Sequence, residues 1–108
     1  MSSPRQFPFE GWLVWLTPEQ GGRSSGPPQS RDTWPHYAAN AFVPPDGVEA
    51  TASFVLKDFE SGAWKSRAQG CWLVPDNPDQ PWVEPGTVIV VTEGPKPVAY
   101  FTVDTPDA

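Results

Sequence analysis

Apolar positions along the chain fall into six short runs, each cut off by proline or glycine. The first spans residues 10–17 and is rich in tryptophan and branched side chains, as strands are. A long stretch of Gly, Ser, Pro, Gln and Arg, residues 18–35, follows as a loop. Further strands are predicted at 36–43, 51–57 and 68–74. Pro44-Pro45-Asp46-Gly47 stops the second, and a proline-rich loop at 75–81 follows the fourth. Residues 58–66 read as a turn or a short helical piece. The last two runs, 87–92 and 97–103, are joined by Glu93-Gly94-Pro95-Lys96, which predicts an antiparallel hairpin with a four-residue loop. Six short strands with turn signals between them and no sustained helical period predict an all-β barrel or sandwich. There is no internal repeat.

Composition agrees with this pattern. The chain has 108 residues, with 15 prolines and 9 glycines, which favour tight turns over long helices. That length suits one domain, with residues 9–103 as its body and residues 1–8 and 104–108 expected as flexible ends. The apolar members of the predicted strands give an expected core of Leu13, Trp15, Phe54, Cys71, Leu73, Ile89 and Val91.

Charge narrows the partners. Thirteen acidic residues against seven basic ones leave a net charge of −6. A phosphate-backbone binder presents a basic face, so nucleic acid is disfavoured and a protein partner suits the chain better. No apolar run reaches the ~20 residues that span a bilayer, so no membrane partner is expected. The first residues lack the basic-then-apolar pattern of a secretory signal, and Cys71 is the sole cysteine, which rules out an intrachain disulfide. A cytoplasmic location is the expectation.

Catalytic chemistry finds little support. The one histidine, His36, has no Cys/His cluster around it in sequence, so no metal or other cofactor is expected. A nucleophile pair would need His36 to meet Cys71, which lies in an apparent strand interior. The close carboxylates Asp58/Glu60 and Asp76/Asp79 fall in loops, with no cleft signalled to separate their pKa values. The sequence therefore reads as a binding protein and not an enzyme.

Four ordered elements resemble the third, C-terminal domain of elongation factor Tu. Phe9 to Arg23 is similar to a strand of form F-E-x-x-V-x-x-L meeting E-x-G-G-R. Trp34-Pro35-His36-Tyr37 stands where that family has G-Y-R-P-Q-F. Val83-Glu84-Pro85-Gly86-Thr87 resembles V-x-P-G-D, and the run from Val91 to Val98 resembles I-R-E-G-G-R-T-V. The resemblance implies a six-stranded antiparallel barrel, closed or nearly so, whose work is contact. The departures are Trp34 for arginine, Pro95 for the second glycine and Lys96 for the arginine after it. No phosphate-cradling G-x-x-x-x-G-K-[ST] loop is present, so nucleotide hydrolysis is not implied.

The resemblance also sorts strand faces. It places Leu13, Trp15, Ile89 and Val91 inward, which turns Trp12, Val14, Val88 and Val90 outward. The family carries glutamate at the position of Trp12, arginine at that of Val88 and glycine at that of Phe101, so an apolar outward patch is expected, with Phe101 extending it. Either loops bearing Trp34, Trp64 or Trp82 cover this patch, or a partner does. The turn Gly21-Gly22-Arg23 is a second candidate contact, with Arg23 either offering its donors to a partner or bracing its own loop. The expected function is a protein-binding module, such as an immunity protein or an adaptor. A translation-associated module touching tRNA or the ribosome is the alternative, and it would gather Arg23, Arg31, Lys65, Arg67 and Lys96 into one stripe. An enzyme with a pocket around His36 is the third reading. No oligomeric state follows from the sequence.

Overall fold

The computed structural model describes residues 8–24, 26–27, 37–44, 46–47, 51–60, 62–73 and 83–105. Six strands make one closed antiparallel barrel: β1 (Phe9–Trp15), β2 (Tyr37–Phe42), β3 (Ala52–Lys57), β4 (Lys65–Trp72), β5 (Val88–Glu93) and β6 (Lys96–Thr105). Around the barrel they run β1-β4-β3-β2-β5-β6, and β6 pairs back onto β1. Closure leaves no strand edge open to pairing with another chain.

Alternation decides what enters the barrel. Along β1 the buried residues are Gly11, Leu13 and Trp15; along β4 they are Ser66, Ala68, Gly70 and Trp72. The small inward residues of β4 leave room for large ones opposite. A Cβ at Gly70 would stand only 2.7 Å from Phe54 and 3.0 Å from Phe101, so the two rings occupy the volume a side chain would need. Phe54 also packs on Trp72, with ring centroids 5.0 Å apart, and on Phe9 at 6.3 Å. Towards the Trp15 end of β1, Trp15, Tyr37 and Phe59 form a second group of rings meeting edge to face. Leu13, Leu56, Ile89, Val91, Val98 and Val103 are among the other members of the buried cluster.

β6 carries two register shifts. Val91 pairs with Ala99 but Thr92 pairs with Pro97, which leaves Val98 as an extra residue; Glu10 pairs with Thr105 but Gly11 with Val103, which leaves Asp104 extra. The first bulge lets the consecutive residues Val98 and Ala99 both face inward, where neither keeps any solvent exposure. The β5–β6 turn holds two residues and not four, because Glu93 and Lys96 already pair. Gly94 has φ +63 at the first central position. Pro95 cannot take positive φ, so the turn is of the II′ type.

The structure corrects several expected core and face assignments. Phe101 does not extend an outward patch: it is fully buried, paired with Leu13 on one side and Ile89 on the other, both inward. Val90 does have outward parity, but it is only 6% exposed, in line with Phe42 on β2 and Tyr100 on β6. Leu73 lies just past the end of β4 and is 61% exposed, so it is not core. Cys71 pairs with Val55 on the outward parity of β4 and is partly exposed; Trp72 takes the inward position beside it. Burial pushes the Cys71 thiol up, and the positive charge of Lys57 partly opposes this. Strand β4 starts at Lys65, within the stretch expected to be a turn, and β6 continues to Thr105, into the expected flexible end. Replacing Phe101 by Ala is expected to cost about 3–5 kcal/mol of stability by denaturant unfolding, as for other buried aromatics. A surface position would change by no more than about 0.5 kcal/mol.

Candidate functional site

The outer face of β4, β1, β6 and β5 has a regular lattice set by the pairing. One row runs Arg67, Trp12, Thr102, Val88. The next runs Lys65, Val14, Tyr100, Val90 and reaches Phe42 on β2. Trp12 (44% exposed), Val14, Val88 and Tyr100 are all exposed, so the face presents an apolar and aromatic surface to solvent. The pairing thus brings together Trp12, Val14 and Val88 as neighbours, with Val90 sunk beneath the same surface. Tyr100 belongs to the patch, although the sequence reading did not single it out. The signal for it was present: Ala99, Phe101 and Val103 alternate with the more polar Tyr100, Thr102 and Asp104.

Two cations frame the tryptophan. Arg67 lies directly across from Trp12, and Lys65 lies one diagonal step away. Their charged groups stand 5.2 Å and 5.0 Å from the centre of the Trp12 ring, within cation–π range. Arg67 is already paired. It meets Asp104 at 2.5 and 3.2 Å and Glu10 at 3.5 Å. The hydrogen bonds from Arg67 hold the Asp104 carboxyl below the usual carboxylate range. The bulge at Asp104 sets this residue where the contact is made.

The Gly-Gly-Arg turn is built differently. Thr17 and Gln20 cap a single 3-10 turn, Pro18–Gln20, reciprocally: Thr17 Oγ1 accepts from the Gln20 amide at 3.2 Å, and Gln20 Oε1 accepts from the Thr17 amide at 2.9 Å. Gly21 ends it in the left-handed region, φ +89, where other residues are strained. Gly22 presses on the Leu16 backbone so closely that a Cβ would fall 2.2 Å from its carbonyl oxygen. Arg23 turns back onto its own molecule. Its Nε lies 3.0 Å from Glu93 Oε2, and its Nη1 donates to the Gly26 carbonyl at 3.0 Å. The same Glu93 oxygen accepts the Tyr37 hydroxyl. Gly21, Gly22 and Arg23 thus have structural duties, which favours the bracing role for Arg23. Burial, then the hydrogen bond and the negative charge of Glu93, push the Tyr37 phenol far above the ordinary tyrosine range, with Arg23 opposing.

Of the expected basic stripe, the described residues bring Lys65 and Arg67 together on one face. Arg23 is held by Glu93, Lys96 sits on the β5–β6 hairpin, and Arg31 lies outside the described residues. His36, Asp76, Asp79, Trp34 and Trp82 also lie outside them. Trp64 is exposed; the hydrogen bond from the Trp15 amide to its carbonyl is 2.8 Å long, and the nearest approach a Cβ on Gly26 would make to its ring is 3.7 Å. Among the described residues, no three His, Cys, Asp or Glu side chains converge as metal ligands, and no helix is long and apolar enough to cross a membrane. No known family model, curated protein or solved structure matches the chain significantly.

The raised Tyr37 pKa has a stability consequence. Below about pH 10, the ordinary tyrosine value, both folded and unfolded chains carry the neutral phenol and the stabilisation is fully present. Above it the unfolded chain loses the proton while the folded chain keeps it, so stability falls as pH rises. Thermal unfolding followed through this alkaline range should show a steeper loss in the native chain than in Tyr37→Phe.

Proposed function

We propose that this barrel is a protein-binding module resembling the third domain of elongation factor Tu, and that it holds its partner on the outer face of β4, β1, β6 and β5. The observation that carries the reading is Trp12, half exposed in the middle of a sheet face whose neighbours Val14, Val88 and Tyr100 are also exposed. None of these is needed inside the barrel, because the opposite parity fills it. Aromatic anchors ringed by smaller contacts are the composition of binding hot spots. A small chain of net charge −6 with such a face suits an immunity protein or an adaptor, which works by occupying another protein.

The translation-associated reading draws on one observation, the pair Lys65 and Arg67 beside an exposed tryptophan, since base stacking on aromatics flanked by cations is how single strands are held. It is the weaker of the two. Arg67 is neutralised by Glu10 and Asp104, Arg23 is held by Glu93, and Lys96 sits on the β5–β6 hairpin.

Trp12→Glu tests the proposal. Nothing in the barrel interior depends on Trp12, so the melting temperature is expected to stay close to that of the native chain. Loss of a tryptophan anchor is expected to weaken association by about 2 kcal/mol or more, roughly 30-fold, in pull-down or sedimentation measurements. Unfolding of the variant would place Trp12 in the core, and unchanged association would move the contact away from this face.

A further inference from the structure

Resting on that reading, we propose that the partner seats an acidic side chain on Lys65, flanked by apolar side chains that lie on Trp12, Val14 and Tyr100. On this face Arg67 is matched by Glu10 and Asp104, each within 3.5 Å. Lys65 is exposed, and its ammonium stands 5.0 Å from the centre of the Trp12 ring. The ring holds the ammonium beside the patch without neutralising it. The two cations and two carboxylates of this face sum to zero on a molecule whose net charge is −6, and because Arg67 engages both carboxylates, Lys65 is the charge left without an ion pair among the described residues.

That arrangement discriminates between partners. A broadly acidic surface is repelled by the rest of the chain, and a basic one meets an ammonium at the centre of contact. A surface with one carboxylate in apolar surroundings avoids both penalties. Because Lys65 is directly across from Val14 and diagonal to Trp12, the carboxylate and its apolar neighbours fall within one strand spacing of each other. A short acidic–hydrophobic peptide segment meets that spacing.

The test is selection of a random linear peptide library on the immobilised native chain, with the enriched peptides measured by fluorescence polarisation. Enrichment of peptides with an Asp or Glu beside large apolar residues is expected. Their binding should fall about tenfold or more in Lys65→Glu, persist in Lys65→Arg, and weaken as salt rises. Unchanged melting curves would establish that both variants remain folded. Binding that needs Trp12 but ignores charge reversal at Lys65 overturns the acidic partner while leaving the docking face in place. Peptides that bind regardless of Trp12, or a library that yields none, overturn both. Preferential binding of a single-stranded oligonucleotide at Trp12 overturns the proposal in favour of nucleic acid.

Discussion

The position of β6 between β1 and β5 determines most of what the molecule shows. Phe101 pairs with Leu13 on one side and Ile89 on the other, and all three point into the barrel. Between bulges side chains alternate along a strand, so this one row fixes the faces of its neighbours on β1, on β5 and on β6 between its two register shifts. A slip by one residue would bring Trp12, Tyr100 and Val88 inward and expose Phe101. The small residues of β4 guard against it. Gly70 opens just enough space for the Phe101 and Phe54 rings, and an indole or phenol brought inward would have to find a different cavity. The bulge at Val98 then adds a second inward residue without disturbing the row.

The same register builds the outer face. It sets Arg67 across from Trp12 and Lys65 across from Val14, so that two cations meet one ring, and its shift at Asp104 supplies a carboxylate for one of them. At the Trp15 end, the Tyr37–Glu93–Arg23 contacts tie the Gly-Gly-Arg loop to the hairpin strand. The two regions that drew notice in the sequence therefore differ in physical character. The loop spends its polar groups on itself, whereas the Trp12 face leaves apolar surface and one ammonium turned towards solvent.

Much of the fold was legible because strands here are short, apolar and punctuated by proline and glycine. All six were found, and the inward set Leu13, Trp15, Phe54, Ile89 and Val91 is buried. The first residues of β4, Lys65-Ser66-Arg67, look like a loop because the inward one is small and the outward ones are charged. Cys71 and Leu73 read as core because they are apolar members of the predicted strand, whereas Trp72 holds the inward position. In the candidate site, Trp12, Val14 and Val88 are legible from alternation along single strands together with the inward set that the resemblance implies. Phe101, expected on the outward patch, is buried, and Tyr100 stands on the patch instead, since their faces depend on which residue of β1 each one meets. The framing of Trp12 by Lys65 and Arg67 needed the β1–β4 pairing, which sequence spacing does not contain.

We propose that the face around Trp12, and not the Gly-Gly-Arg loop, meets the partner. The most direct measurement is an amide chemical-shift map of the isotopically labelled chain, titrated with the protein that co-purifies with it. The shifts are expected to gather on the facing residues of β4, β1, β6 and β5, centred on Trp12, Lys65 and Tyr100. Shifts gathered instead on Thr17 to Gly26, with the Trp12 indole signal unmoved, would contradict it.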